Sequence, residues 1–222
     1  MTANVKTSVK KRPNSAKTLT TPEHTDSYVY LIENTLYINL TDRCSLACGF
    51  CPKHNGCTAV KGHELYLSKR PLADQVIPLI GNPKDYDEVV FCGYGEPTLR
   101  INVLLEIARW VKAKGGNTRI NTDGLGCLFH KRDIVPELAT CIDALSVSLN
   151  AHNESVYQQH CQPSLPNSFS AVQAFIRNAS QKIPRVYVSA INGLEGVDIH
   201  ECKKIAEKNG GIFRQRELDV VG

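Results

Sequence analysis

Three cysteines stand close together in the first quarter of the chain, at a spacing that suits an iron–sulfur cluster. Cys44, Cys48 and Cys51 follow the pattern C-x3-C-x2-C. Thiolates are the usual protein ligands of such clusters. Three thiolates leave one iron of a four-iron cluster without a protein ligand, and that iron can bind a small molecule. The pattern therefore indicates a site for chemistry.

The same thiols are compatible with a zinc site or with three buried cysteines. Zinc is usually held by four protein ligands, often from cysteine pairs. His54 or Cys57 could supply the fourth ligand. We favour the cluster, and we interpret Cys57 as a bystander thiol, because a lone extra cysteine is more often just that. Spacing alone leaves the alternatives open.

A second loop of unusual composition follows an apolar run at residues 88–91. That run is typical of a strand buried on both faces, and the loop after it reads Cys92, then Gly93-Tyr94-Gly95-Glu96-Pro97. Glycines permit a tight backbone path and the close approach of a ligand to main-chain carbonyls. The cysteine loop follows an alternating apolar run at residues 36–40 in the same way. Both loops are therefore expected at the C-terminal ends of strands.

Strand patterns alternate with helical patterns along the rest of the chain. Further strands are predicted at residues 117–121, 144–149, 185–191 and 212–216, and helices at 71–80, 101–114, 133–139, 154–160, 168–182 and 198–209. Such alternation favours parallel strand pairing through right-handed crossovers. Residues 36–217 have room for about six units of roughly 30 residues each, whereas a full barrel needs roughly 250. We predict an α/β fold: a partial (β/α)6 TIM-like barrel with an incompletely closed parallel sheet and helices outside.

Polar residues follow the predicted strands. Asn121 and Asp123 end the third core strand, Ser148 and Asn150 end the fourth, and Ile191 precedes Asn192-Gly193 at the end of the fifth. In barrels of this class the working residues gather at the C-terminal ends of the strands. Turn chemistry accounts for part of the pattern.

Composition bounds the class of protein. The 222 residues, 42% hydrophobic and 22% charged, suit one soluble domain. We expect a cytoplasmic protein without membrane association, since the chain has no apolar run of roughly 18 residues and no apolar core of a signal peptide. The nine cysteines are an odd number, which favours metal binding over a disulfide framework.

The chain divides into two parts. Residues 1–27 are predicted to be a flexible basic N-terminal tail, rich in Thr, Ser, Lys and Pro. Residues 28–222 are predicted to form the barrel domain. Such a tail can contact nucleic acid, but we favour a solvated segment.

The cysteine spacing, with Phe50 directly before the third thiol, resembles the cluster loop of the radical S-adenosylmethionine (SAM) superfamily. The resemblance implies that Cys44, Cys48 and Cys51 bind three irons of a [4Fe-4S] cluster, and that SAM chelates the fourth. It implies that one electron from the cluster cleaves the sulfonium and yields a 5′-deoxyadenosyl radical. Phe50 would lie beside the adenine.

The loop Gly93, Tyr94, Gly95 and Glu96 resembles a family motif, Gly-Gly-Glu-Pro, which receives the amino group of SAM. It is one residue longer here.

The resemblance also extends to the strand ends. It implies that Ser148 and Asn150 bind the ribose or the carboxylate of SAM, and that Asn121 and Asp123 lie near its methionyl half or the substrate. It places Ile191 near the adenine.

Four longer stretches of the sequence resemble the TatD-associated radical SAM proteins. Residues 37–41, 91–98, 119–126 and 146–151 carry this resemblance. It implies the two cofactors and three partners: a reductant such as flavodoxin or ferredoxin, an unidentified substrate, and a functional link to a TatD-family protein. It does not imply a reaction.

The function predicted is hydrogen abstraction from an unidentified substrate. The alternatives are an enzyme like 7-carboxy-7-deazaguanine synthase, a glycyl-radical-activating enzyme, or a non-catalytic metal-binding module. A nucleic-acid-processing role ranks last, since residues 28–222 lack a dense basic and aromatic stripe. No catalytic residue is assigned, although Cys161, Cys127, Tyr94 and Tyr157 are conceivable.

Overall fold

The computed structural model describes residues 26–57 and 59–218. The predicted tail, apart from its last two residues, lies outside this range. In the described part, the strands are β1 Val29–Ile32, β2 Thr35–Ile38, β3 Ala59–Val60, β4 His63–Glu64, β5 Glu88–Phe91, β6 Thr118–Thr122, β7 Ala144–Ser148, β8 Arg185–Asn192 and β9 Ile212–Glu217. The α-helices of the same residues are α1 Ala73–Ile80, α2 Ile101–Ala113, α3 Gly126–His130, α4 Val135–Leu138, α5 Glu154–Cys161, α6 Ser168–Ser180 and α7 Ile199–Lys208.

Seven of the described strands form one sheet, in the order β1-β2-β5-β6-β7-β8-β9. From β2 onward every neighbouring pair is parallel, and only β1 pairs antiparallel, with β2. The parallel strands follow one another in chain order, with β1 and β9 as the two edges. The predicted partial barrel is therefore confirmed. The short apolar run at residues 28–32 could, by sequence alone, pair with the next strand or pack over the mouth of the barrel. It forms β1, which pairs antiparallel with β2 at one side of the sheet.

The two faces of this sheet are covered differently. A row across five strands consists of Ile38, Phe91, Ile120, Leu145 and Val186, which are paired in register and buried in the core beneath the helices. Side chains alternate between the faces of a strand. The row formed by the residues one position earlier on each of these strands therefore points away from the helices. We call this opposite surface the inner face.

Several predicted boundaries differ from the structure. Pro71 does not open α1: Leu72 is the N-cap, because its N–H donates to the Gln75 side chain over 2.9 Å and closes the first turn there. Pro78 lies inside α1 near its end. The helix predicted to reach residue 182 ends at Ser180, because the N–H groups of Gln181 and Lys182 donate three residues back, to Asn178 and Ala179, and so close a tighter turn.

Two short elements were missed by periodicity. Residues 54–70 have the sequence pattern of a long polar loop, but they contain the β3–β4 hairpin. Lys61 and Gly62 turn it, with φ of 51° and 83°, as a type I′ turn requires. The short helix α3 was also missed, because five residues are too few to show a helical period.

Candidate functional site

The cysteine loop, residues 39–51, directly follows β2. Cys44 is exposed as a residue, but its sulfur turns toward the loop and accepts from the Leu46 N–H over 3.4 Å. Cys48 and Cys51 are half-buried. Burial raises the pKa of the Cys44 and Cys51 thiols, and a hydrogen bond with Cys161 does most to raise the pKa of Cys48. Binding a metal requires these thiols to lose their protons.

The C-terminal end of α5 holds the cysteine loop in shape. The N–H of Ala47 donates to the Cys161 carbonyl over 3.1 Å, and the N–H of Ser164 donates to the Ser45 carbonyl over 2.9 Å. These bonds join segments more than 110 residues apart in the chain. The loop is therefore positioned by the folded domain, and not by its own sequence alone.

Glu96 links the second loop to the end of β6. Its Oε1 accepts from the Thr98 N–H at 3.0 Å, the Thr98 hydroxyl at 2.6 Å and the Thr122 hydroxyl at 2.8 Å. Its Oε2 accepts from the Asp123 N–H at 2.7 Å. Burial, and then the charge of Asp123, raise the pKa of this carboxyl. Both oxygens of Glu96 are thus used inside the protein.

Asp123 joins the end of β6 to the cysteine loop. Its Oδ2 accepts from the Ser45 hydroxyl at 2.6 Å and lies 4.0 Å from the sulfur of Cys44, while Oδ1 accepts from the Leu125 N–H at 2.8 Å. Burial raises the pKa of Asp123, and the bonds from Ser45 and Leu125 oppose that rise. A continuous chain of contacts therefore runs from the cysteine loop through Asp123 to Glu96.

The two glycines of the second loop are required by packing against the cysteine loop. A Cβ at Gly95 would lie 2.3 Å from the Arg43 carbonyl oxygen and 2.5 Å from that of Thr41, and a Cβ at Gly93 would lie 2.0 Å from Asn39 Oδ1. Gly93 and Gly95 do not have positive φ angles. The glycines are therefore needed for close contact between the two loops rather than for backbone freedom, while the approach of a ligand to this backbone stays a prediction.

The side chain of Tyr94 belongs to a second, smaller cluster. Tyr94 is buried with Tyr30 and Leu65, its ring meets that of Tyr66 edge-on, and its hydroxyl donates to the Cys57 carbonyl over 2.6 Å. Tyr94 therefore anchors the β3–β4 region through its side chain. This leaves its backbone for the predicted contact with SAM.

The remaining predicted residues lie at the ends of β6, β7 and β8. Asn121 and Ser148 are half-buried, and Ile191 is fully buried. Asn150 is buried with a left-handed φ of 55°, and its N–H donates to the Ser189 carbonyl over 3.2 Å. Within the described residues its Oδ1 is a buried acceptor without a hydrogen-bond partner. That oxygen is available to a donor group of a ligand.

A cavity of about 690 Å³ opens beside Cys44. Its charged lining residues are all basic: Arg43, Lys53, Arg70 and Arg100. Lys53 donates to the Asp42 carbonyl, and Arg70 pairs with the Asp42 carboxylate at 3.0 Å. The surface next to the cysteine loop is therefore positively charged overall.

Comparison with known proteins places this arrangement in a family. Residues 38–208 match the family model described as the Radical SAM superfamily. The chain belongs to the radical SAM superfamily. Members of this superfamily are enzymes, and membership implies a [4Fe-4S] cluster and SAM as cofactors.

Individual radical SAM relatives differ in length and substrate. Over 140 residues the chain is 32% identical to GTP 3′,8-cyclase of Lactiplantibacillus plantarum, which covers 60% of this chain and 38% of that enzyme. Streptococcus suis SuiB bound to its precursor peptide SuiA superposes with a TM-score of 0.63 at 17% identity, over 84% of this chain and 39% of that one. Methylornithine synthase (PylB) superposes with a TM-score of 0.54 at 16% identity, over 83% of this chain and 53% of that one. The solved structures show a shared fold, and the chain spans well under two thirds of these relatives.

The described residues fit the cofactors of a radical SAM protein. Three thiols share one loop whose shape is fixed by α5, and the unpartnered Oδ1 of Asn150 lies at the end of a nearby strand. The hydroxyl of Tyr157 is also buried without a partner in this part of the chain. Over residues 26–57 and 59–218, no three His, Cys, Asp or Glu side chains are gathered to hold a single metal ion. A four-iron cluster instead takes its thiolates at separate irons.

The structure brings some predicted residues into contact and adds others. Cys44, Asp123 and Glu96 are joined directly, while Phe50 is half-buried against the main core. Sequence reasoning missed the hydroxyls that connect the carboxylates, those of Ser45, Thr98 and Thr122. These three residues lie next to the motifs in the sequence, and that position could have been used to predict their role.

None of the helices in the described part is long and apolar enough to cross a bilayer.

Proposed function

We propose that this protein is a radical SAM enzyme that abstracts a hydrogen atom from an unidentified substrate. The observation that carries the proposal is the chain of contacts from Cys44 through Asp123 to Glu96. These contacts hold the two motif loops together at the C-terminal ends of the strands. When bound, the [4Fe-4S] cluster and SAM supply one electron and a 5′-deoxyadenosyl radical. The chain must hold both cofactors and exclude competing reactions.

The cysteine loop would hold the cluster. We assign Cys44, Cys48 and Cys51 as the iron ligands, supported by their common loop and by the bonds that fix it. Phe50, directly before the third cysteine, is half-buried and so presents part of its ring for contact with the adenine. Ser45 positions Asp123 beside this loop.

The neighbouring strand ends would hold SAM. The backbone of Gly93, Tyr94 and Gly95 is proposed to receive its amino group, since the side chains of Tyr94 and Glu96 are already engaged within the protein.

The strand ends of β6, β7 and β8 complete the proposed SAM site. Asn150 offers its unpartnered buried oxygen to a ribose hydroxyl. Ser148, Asn121 and Ile191 are proposed to line the same site, with Asp123 at the cysteine side.

A reductant is the partner that the surface supports. The basic residues Arg43, Lys53, Arg70 and Arg100 surround the opening beside Cys44. Charge complementarity accelerates and orients protein encounters. A carrier such as a flavodoxin or ferredoxin with a negatively charged surface would therefore approach the cluster from this side. The link to a TatD-family protein and the cytoplasmic location stay predictions.

Spectroscopy on the anaerobically reconstituted protein tests the function. We expect a reduced cluster whose electron paramagnetic resonance signal shifts when SAM is added, followed by slow release of 5′-deoxyadenosine. Asn150→Ala should weaken the shift while iron content stays normal, because among the described residues no hydrogen bond joins that side chain to a proposed iron ligand. A cluster signal that ignores SAM in the unmutated protein would contradict the proposal.

A further inference from the structure

Arginines are concentrated on the inner face of the barrel. Arg119 of β6 pairs in register with Ala144, which pairs with Arg185 of β8. On the last strand, Arg214 pairs with Ser189 and Arg216 pairs with Ile191. Partners in register point to the same side of a sheet. All four guanidinium groups therefore belong to the surface that faces away from the helices.

Three of these arginines line one cavity. It measures about 380 Å³, and its lining includes Arg119, Arg185, Arg214 and Tyr187, with Asp87 and Glu88 as the acidic residues. Glu88 is paired with Arg119, whose Nη2 and Nε donate to Glu88 Oε1 at 2.7 Å and 2.9 Å. Asp87 accepts from the Asn34 side chain over 2.8 Å.

The arginines of β8 and β9 have no such partner. Among the described residues, no ion pair is formed by Arg185, Arg214 or Arg216. All three are exposed. They leave a surplus of positive charge on a concave surface, where charges of one sign attract small ions of the other.

Arg214 is held ready for a planar anion. Its guanidinium carbon lies 3.3 Å from the centroid of the Tyr187 ring. Stacking on a ring fixes the plane of the guanidinium and leaves its N–H groups free at the edge. Such a fork matches the two oxygens of a carboxylate or phosphate.

Arg216 continues the positive surface toward the C-terminal end of the strands. Burial raises the pKa of Cys92, which directly follows β5; a hydrogen bond with Asn121, and then the charges of Arg119 and Arg216, oppose that rise. Among the three arginines, Arg216 lies closest to the proposed SAM site, because it is in register with Ile191.

We propose that Arg214, with Arg185 and Arg216 on either side of it along the strands, forms the subsite for an anionic group, a carboxylate or a phosphate, of the substrate. The proposal rests on the proposed function, because that places the reacting carbon at the C-terminal edge. Each residue along a strand rises about 3.3 Å. Arg214 is in register with Ser189, three residues before the end of β8 at Asn192. A substrate anchored at Arg214 therefore carries its anionic group about 10 Å from the carbon that loses hydrogen.

Anion binding to the reconstituted protein tests this subsite. The probes are inorganic pyrophosphate for the phosphate source and citrate for the carboxylate source, measured by titration calorimetry at constant ionic strength. We expect one probe to bind the unmutated protein, and Arg214→Gln and Arg216→Gln each to weaken it at least about tenfold. Pyrophosphate binding alone would indicate a phosphorylated substrate, and citrate binding alone a carboxylic acid.

Two controls separate the subsite from general charge effects. Arg177→Gln removes an exposed arginine from helix α6 and should bind the probe as the unmutated protein does. Arg214→Lys keeps the charge but loses the fork, and we expect it to bind at an intermediate strength. Circular dichroism of each variant shows whether it is folded, and Arg214→Lys serves if Arg214→Gln is not.

The result can be distinguished from failure of the proposed function. An unmutated protein that responds to SAM but binds neither anion would overturn the subsite alone. Equal binding by Arg214→Gln, Arg177→Gln and the unmutated protein would overturn it too. Anion binding that depends on Arg214, in a protein whose cluster ignores SAM, would support the subsite and contradict the radical function.

Discussion

Gly95→Ala is expected to displace the cysteine loop, because Gly95 packs directly against the backbone of that loop. The added Cβ would lie 2.3 Å from the Arg43 carbonyl oxygen, 2.5 Å from the Thr41 carbonyl oxygen and 2.7 Å from the Arg43 nitrogen. All three atoms are backbone, so no rotamer relieves the clash. The loop must retreat by about 1 Å to restore an ordinary contact of 3.4 Å, and Cys44 follows Arg43 directly.

The energetic cost can be worked out from these contacts. Overpacking costs about 1 to 3 kcal/mol. The retreat also strains the bond from the Glu96 N–H to the Arg43 carbonyl, now 2.8 Å, and a bond of this kind contributes about 1 kcal/mol. The sum is about 2 to 4 kcal/mol. For a domain of this size each kcal/mol lowers the melting temperature by about 2 to 4 °C, so we expect a drop of roughly 4 to 16 °C.

The assay is thermal unfolding together with iron and sulfide analysis after anaerobic reconstitution. Gly95→Ala should lose both stability and iron. Gly49→Ala is the matched control within the cysteine loop, since its Cβ would meet only Gln162 Nε2 at 4.0 Å and its φ is not positive. That control should stay within about 0.5 kcal/mol of the unmutated protein. A Gly95→Ala protein that melts and binds iron like Gly49→Ala would refute the reasoning.

Three further outcomes are expected. Cys48→Ala should hold little iron while Cys57→Ala holds the normal amount, and elemental analysis checks both; four irons in the Cys48 variant would exclude it as a ligand. Tyr94→Phe removes the bond to the Cys57 carbonyl and should cost about 1 kcal/mol, with faster hydrogen exchange at residues 57–66; unchanged exchange would contradict this anchor. Burial opposes ionisation of Asp143, but hydrogen bonds from Lys112 and Thr118 outweigh it and hold its pKa below the usual value. Asp143→Asn should therefore destabilise the protein at neutral pH, in denaturant unfolding, and the difference should fade as the pH drops through that pKa; a difference that grows in acid would be the wrong sign.

The fold could be read from the sequence because its signals are local and repeated. The run at residues 88–91 and the helical spacing at 101–113 each reflect burial on a known face. The position of β1 could not be read in this way, since pairing with β2 depends on a turn between them and not on an apolar period. The same holds for α3, which is held by contacts with α6 and the turn at Pro97–Arg100.

The site was only partly predictable because its geometry comes from contacts between distant segments. The cysteine spacing and the Gly-Glu-Pro loop can be recognised directly from the sequence. The bonds of Ala47 to Cys161 and of Ser45 to Asp123 do not, since they join segments about 114 and 78 residues apart. Sequence could place each motif at a strand end, but it could not show which motifs touch.

The contacts of Glu96 also decide how its variants should be interpreted. Each of its two oxygens accepts from a backbone N–H, that of Thr98 at one and that of Asp123 at the other. A glutamine has only one acceptor oxygen, so either orientation of its amide turns NH₂ toward one of these N–H groups. Leaving a buried donor unpaired costs about 1 to 3 kcal/mol. Loss of SAM binding in a Glu96 variant therefore follows from misplacement of Asp123 and the cysteine loop as readily as from a lost contact with the cofactor. Glu96 is best understood first as the residue that fixes the two loops together, and the Asn150 variant, which leaves that network intact, isolates cofactor contact more cleanly.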